Sequence, residues 1–353
     1  MAGQRPAFSF SAGSLTSSTS SPASGPTRFV VERSLAVPID GLRVSLMDSG
    51  GVAPGDAVQL DLGDEDGLER VFTGTVAELR PRLDGCELFC AGTMLALVDL
   101  RVSSFYQNQS AGDVVRDLIG QAGLDEGDIS DGLDLPRYSV ERRQGAYAQL
   151  SRLAERLGFS LFSDREGKIH FRGLGPAAGL GSGGALGAVA GAASQAASAL
   201  GVGAGGGLAY GKHLLGAKGG LRPDFGRTVL VGGESPMSGH GEDKSFWLTA
   251  TDSDYEDSTG SGDELLLIDP AARTKDMAGR FASGYAASFA RRAADVRLVV
   301  LGMPALELGD SNSASGAPED GLNVSGYIKA LRHRFSASEG FVTELVLSPE
   351  AGA

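Results

Sequence analysis

The chain has 353 residues, enough for two or three domains with cores of their own. Asp and Glu outnumber Lys and Arg 44 to 31, a net charge of −13 that argues against a nucleic-acid-binding surface, where phosphate contacts need clustered cations. Cys86 and Cys90 are the two cysteines; four apart in an extended strand they share a face about 13 Å from each other, too far for a disulfide, and read as small buried apolar residues of a chain made in a reducing compartment.

Residues 1–27 are rich in Ser, Gly and Pro and lack the apolar core of a signal peptide, so a flexible arm on a chain made in the cytoplasm is expected. From 28 to 101 short apolar runs alternate with turns: Phe29–Val31, Leu42–Leu46, Ala57–Leu62, Arg70–Val76 and Cys86–Cys90 are candidate strands of a small antiparallel barrel or sandwich. Residues 102–172 read as an α/β module. Ser110 and Asp113 form a capping box for a helix whose apolar face is Val114, Val115, Leu118, Ile119 and Ala122, ended by Gly123. Tyr147, Leu150, Leu153, Ala154 and Leu157 make a second helical stripe, stopped by Gly158, and Phe159–Phe162 then pairs with Lys168–Phe171 across the polar turn Ser163–Gly167.

Residues 173–221 are a Gly/Ala-rich insertion or linker with too few large side chains for stable membrane insertion. The remaining stretch, 222–350, reads as a second β-barrel domain. Its strands are 227–232, 245–251 and 296–301, a closing hairpin joins Tyr327–Phe335 to Phe341–Leu347, and the acidic run from Asp252 to Glu264 is a solvated loop. A long helix over 270–292 is expected, capped by Asp269 with Pro270 in its first turn, burying Met277, Phe281, Tyr285 and Phe289. The fold class is thus α+β, mainly β: two small antiparallel barrels with an inserted α/β module.

Several patterns invite a chemical reading and fail it. Gly206–Lys212 has the G-x4-G-K spacing of a phosphate loop, but His213 stands where a magnesium-binding Ser or Thr is needed. A calcium loop starting at Asp252, with Asp254 and Glu256, would put Asp257 where a glycine is required and Asp263 where a glutamate is. His170, His213, His240 and His333 form no ligand pair, and His333 shares the core-facing parity of Tyr327, Leu331 and Phe335, as a packed histidine would. No G-x-S-x-G elbow is present, and no catalytic, cofactor-binding or metal-ligating residue is assigned.

The ordered motifs carry a resemblance. Phe105–Ser110 with Asp113–Ile119, then Tyr147–Phe159, then Gly302–Leu306 with Leu308–Asp310, Gly326–Ile328, His333–Phe335 and Gly340–Glu344 are similar to the baseplate hub proteins of contractile phage tails and injection systems, a family that includes the phage late control D proteins and the hub region of VgrG spikes. The resemblance spans about Thr27 to Pro349; the Gly/Ala-rich tract departs from it. It implies a non-enzymatic homotrimer with two tube-like barrels per chain, joining a sixfold inner tube protein to a threefold spike within a baseplate. The spike is expected on a separate polypeptide. The alternatives are a tail-associated cell-wall hydrolase, and a module binding an effector or membrane through the tract.

Overall fold

The computed structural model describes residues 5–174, 207–221, 227–233, 256–292 and 294–349. It is mainly β, as expected. The N-terminal half contributes β1 (Pro6–Ala12), β2 (Leu15–Ser18), β3 (Arg28–Ser34), β4 (Gly41–Leu46), β5 (Ala57–Asp64), β6 (Gly67–Arg82) and β7 (Gly85–Gly92), followed by α1 (Leu95–Asp99). Next come β8 (Ser104–Ser110), α2 (Ala111–Gln121), β9 (Glu126–Ile129), β10 (Asp134–Val140), α3 (Ala146–Leu157), β11 (Phe159–Ser163) and β12 (Ile169–Gly173). The rest holds β13 (Leu208–Ala209), β14 (Leu214–Leu221), β15 (Arg227–Gly233), β16 (Glu256–Thr259), β17 (Asp263–Asp269), α4 (Lys275–Ala290), β18 (Ala294–Leu301), β19 (Ser311–Ser315), β20 (Ser325–Ser336) and β21 (Gly340–Pro349).

Two separate closed barrels are not what these strands form. They follow one open hydrogen-bonded path, β14-β18-β21-β20-β3-β4-β7-β6-β5-β1-β2, with β19 and β13 attached beside β20. The two expected units fuse where β3 pairs with β20, from Ala330 opposite Ser34 to Ser336 opposite Arg28. Phe29 lies opposite Phe335 in that register, and their rings pack 6.0 Å apart in a cluster with Phe8 and Phe341. Pairing the halves buries four aromatic rings that separate sheets would each have had to cover.

The stretch expected to be a flexible arm is part of this sheet. Phe8, Phe10 and Ala12 are buried on one side of β1, with Ser9 and Ser11 on the other, and β1 pairs with β5 from Pro6 opposite Asp64 to Ala12 opposite Val58. The alternation A-F-S-F-S-A is a half-buried strand signal that the surrounding serines obscured. The end of the Gly/Ala-rich tract is likewise in the sheet: Leu214–Leu221 is β14, antiparallel to β18 and, among the described residues, at the sheet's edge. Residues 175–206 of that tract lie outside the described residues, as do 245–251 and His240. No helix among the described residues is long and apolar enough to cross a membrane.

The α/β module matches its pattern closely. Ser110 Oγ accepts from Asp113 N, and the Asp113 carboxylate accepts from Ser110 N in return, so both orphan amides are satisfied. Val114, Val115, Leu118 and Ile119 are fully buried. Gly158 ends α3 in the left-handed conformation (φ 68°), and β11 pairs with β12 with Leu161 opposite Phe171.

The long helix differs from expectation at its start and in its placement. It begins at Lys275, with Thr274 Oγ1 capping Met277 N, while the proposed cap residue closes a turn of its own, Asp269 Oδ1 accepting from Ala271 N at 3.0 Å. Asp269 is buried at the end of β17, accepting from Arg156 Nε at 2.6 Å and from the Tyr285 hydroxyl at 3.1 Å. The part of the acidic run that is described, from Glu256 on, is not a loop either: Glu256–Thr259 and Asp263–Asp269 flank β15 as strands β16 and β17. These strands and α4 join the module's core, where Val229, Val231, Met277 and Phe281 pack with Leu150 and Leu153. α4 crosses α3 closely enough that a Cβ on Gly284 would stand 2.0 Å from the Arg156 carbonyl oxygen. Gly284→Ala is therefore expected to lower the unfolding free energy by about 1–3 kcal/mol, read by chemical denaturation; an unchanged midpoint would show that the helices separate freely.

Candidate functional site

The polar turn between β11 and β12, Ser163–Gly167, inserts into a junction where the three parts of the chain meet. Ser163 enters the sheet's interior. Its carbonyl accepts from Arg33 Nη2 at 2.8 Å, and its hydroxyl donates to Asp40 Oδ2 at 2.9 Å. Arg33 is 3% exposed; its Nε also donates to Asp40 Oδ2 at 3.1 Å and its Nη2 pairs with Glu307 Oε1 at 2.6 Å. Burial disfavours the Arg33 cation, but Glu307 and Asp40 outweigh it and hold the guanidinium charged. Burial lifts the Asp40 carboxyl above its ordinary range against the pull of Arg33.

The rest of the turn is tied to both halves of the sheet. Arg165 donates its amide to Glu307 Oε2 at 3.0 Å and its Nη1 to Glu69 Oε2 at 2.7 Å, while its carbonyl accepts from Thr73 Oγ1 at 3.0 Å. The Gly167 carbonyl accepts from Thr93 Oγ1 at 2.7 Å; with φ 90° and Thr93 Cγ2 2.6 Å from where a Cβ would be, this position requires glycine. Asp164 holds the turn's shape, accepting from Lys168 N and from His170 Nε2 at 3.0 Å. The other ring nitrogen of His170 accepts from Asp128 N, so the proton lies on Nε2. Burial works against the Asp164 carboxylate, but His170 and the Lys168 amide outweigh it and keep it below the usual range.

The C-terminal motifs supply the opposite wall. Glu307 lies in the loop leading to Asp310, whose Oδ2 accepts from Glu307 N at 3.1 Å. Burial, and then the Glu307 charge, push the Asp310 carboxyl up to about 6. A raised carboxyl favours the folded state below its unfolded pKa, about 4, and that contribution is lost as pH rises through about 6. Asp310→Asn keeps an acceptor for Glu307 N, and is expected to raise stability at pH 7 by about 1–3 kcal/mol while flattening that part of the pH profile. Equal stabilisation at pH 4 and pH 7 would refute the titration as its cause. His333 is 1% exposed, as its parity in the strand predicted, and its Nδ1 meets Thr343 Oγ1 at 2.9 Å. Burial, and then the Arg33 and Arg165 charges, push it down to about 3.

The arrangement ties three segments of the chain together through buried ion pairs and hydrogen bonds. The residues weighed as chemical candidates do not converge. His213 Nδ1 accepts from Ala209 N in the tight turn before β14, so the phosphate-loop spacing leads into a strand rather than a helix. Asp257 lies on β16 opposite Val231, while Asp252 and Asp254 lie outside the described residues. Among the described residues no group of three His, Cys, Asp or Glu side chains could hold a metal ion. Cys86 and Cys90 are both buried and unbridged, and burial pushes the Cys90 thiol up to about 12. Sequence reading passed over Arg33, Asp40 and Glu307; a lone arginine in the strand F-V-V-E-R-S was the available signal, without any clue to its partners.

No family model matches the chain, and no curated protein matches it by sequence. Solved structures do. A 43 kDa tail protein of prophage MuSo2 from Shewanella oneidensis superposes with a TM-score of 0.67 at 16% identity, over 98% of this chain and 98% of that one. A tail protein from Neisseria meningitidis MC58 gives 0.67 at 13% identity over 99% and 97%. An Escherichia coli component of the type VI secretion system, described as structurally similar to the bacteriophage T4 tail proteins gp27 and gp5, gives 0.56 at 12% identity over 97% of this chain and 77% of its own. The fold is that of phage tail proteins and of their type VI secretion counterparts.

Proposed function

We propose that the chain is a structural baseplate hub subunit of a contractile phage tail or injection system, working as a homotrimer between a sixfold inner tube and a threefold spike. The observation that carries the reading is the chain-long match to tail proteins at both chains' full length. The order of the sequence motifs resembles that of the late control D proteins and of the hub region of VgrG. The mechanism is mechanical. In a tube-like arrangement each half of the sheet would occupy one of six quasi-equivalent positions, and the Arg33 junction would keep the two halves and the module in fixed relation while force passes through them. The open edges at β14 and β2 would be satisfied by neighbouring subunits, as unprotected strand edges require. The partners are then the tube protein, a spike protein and the surrounding baseplate subunits, and the location is an assembled tail-like particle. No turnover is needed.

The test is electron microscopy of particles recovered through a C-terminal tag from native lysate. Sheathed tubes carrying the tag at one end support the reading. A soluble monomer with no tube or spike protein beside it would sink it. Peptidoglycan zymography separates the hydrolase alternative, and clearing by the purified chain would favour that enzyme.

A further inference from the structure

The small sheet β16-β15-β17 ends, at β17, in an edge that no other strand among the described residues covers. β17 pairs with β15 alone, in parallel and without a bulge, from Arg227 opposite Asp263 to Gly233 opposite Asp269. Among the described residues, no backbone group of residues 264–268 bonds to backbone outside that pairing. Along a strand these groups alternate between its two edges, so about half of them point away from β15 and want partners.

The side chains give the edge a pattern. Val229 and Val231 hold one face of the sheet in the core, and Leu265 and Leu267 share that face and are half-buried. Glu264, Leu266 and Ile268 alternate onto the other face, where Leu266 is 51% and Ile268 46% exposed. Gly232 lies opposite Ile268 and has no side chain to cover it. Solvent-exposed edge strands are ordinarily blocked by a proline, a bulge or a charge within the strand. Leu265–Ile268 is an unbroken run of four apolar residues with none of these. Charge sits instead at the strand's start: Asp263 and Glu264 are both exposed and enter no ion pair among the described residues.

We propose that β17 accepts an added strand from another protein, an extended segment that alternates apolar residues and carries a lysine or arginine on the same face. Only an extended segment answers a row of edge amides and carbonyls, and alternate side chains then set which segment fits. Here its apolar residues lie beside Leu266 and Ile268, and its cation meets Glu264. An acidic residue in the cation's place would stand directly beside Glu264 and be repelled. The inference stands whether or not the chain serves as a hub.

The experiment titrates the full chain, by calorimetry, with the end-blocked heptapeptide Lys-Thr-Ile-Thr-Ile-Thr-Lys, which offers the pattern in either strand direction, and with its counterpart carrying glutamate for both lysines. The lysine peptide is expected to bind with a dissociation constant near or below about 1 mM, and the glutamate peptide about tenfold more weakly. Glu264→Lys is expected to reverse that preference. Leu266→Lys puts a charge in the middle of the edge at an exposed position; it is expected to weaken the lysine peptide by about tenfold or more and to leave the melting temperature of the free chain nearly unchanged. N-methylation of the peptide at both isoleucines, or at all three threonines, removes the donors of one strand edge or the other, and one of these two versions is expected to lose binding. No binding of the lysine peptide by about 3 mM overturns the proposal. So does binding that both methylated versions retain, or that neither β17 variant changes. Self-association of the chain that Leu266→Lys abolishes would make a second copy the occupant and overturn it as well.

Discussion

Replacing Arg33 by Met is expected to lower the unfolding free energy by about 3–5 kcal/mol, a large share of the stability of an ordinary domain. The side chain is 2% exposed, and its loss leaves Asp40 (8%) and Glu307 (19%) facing each other without a cation. It also strips the Ser163 carbonyl of its donor, so the module's turn loses its seat in the sheet. Arg33→Met combined with Asp40→Asn and Glu307→Gln removes the stranded charges and is expected to recover part of the loss. Denaturation curves of the three proteins at pH 7 decide it: a cost under about 1 kcal/mol for the single substitution would mean that water reaches this junction. Under the hub reading, the same variant should also yield fewer assembled particles than its stability alone explains, because the relative placement of the sheet's halves is lost.

Acid is expected to act chiefly through His333. Its folded pKa, about 3, is below the unfolded value of about 6.5, so the stability it contributes is complete above pH 6.5 and is lost as pH falls through that window towards 3. Taken alone the shift corresponds to on the order of 5 kcal/mol. Asp310 works in the opposite direction between about pH 4 and 6, where protonation favours the folded chain. The two groups therefore offset each other partly in mild acid, and below about pH 4 only the His333 loss continues. His333→Gln, which keeps a partner for the Thr343 hydroxyl, is expected to be more stable relative to the wild type at pH 4.5 than at pH 7.5, measured by urea denaturation. A constant difference between the two proteins across that range would rule out titration of this ring as the source of acid sensitivity.

Much of the secondary structure was legible because local signals were complete. The capping box at Ser110 and Asp113, the glycine at 158 and the alternating strands of the first seventy residues after Arg28 each satisfy their backbone within a few residues. Where the reading went astray, a distant residue had changed the outcome. Asp269 has the chemistry of a helix cap, but one of its oxygens is held by Arg156, 113 residues earlier, and the other by the Ala271 amide in a separate turn, and Thr274 caps the helix instead. Ser- and Gly-rich composition at the N-terminus hid a strand whose phenylalanines are buried only because Phe29, Phe335 and Phe341 wait for them.

By itself the sequence determined the mainly-β class and the module's two helices and hairpin, since periodicity, caps and turn residues act over one or two turns of chain. Only the tertiary structure decided that both halves form one continuous sheet and that a polar turn becomes the plug of a buried ion cluster. Those outcomes depend on burial and on partners distant in the chain, as for Arg33 and Glu307, and the free energy of a buried charge is set by what surrounds it rather than by its neighbours in the chain.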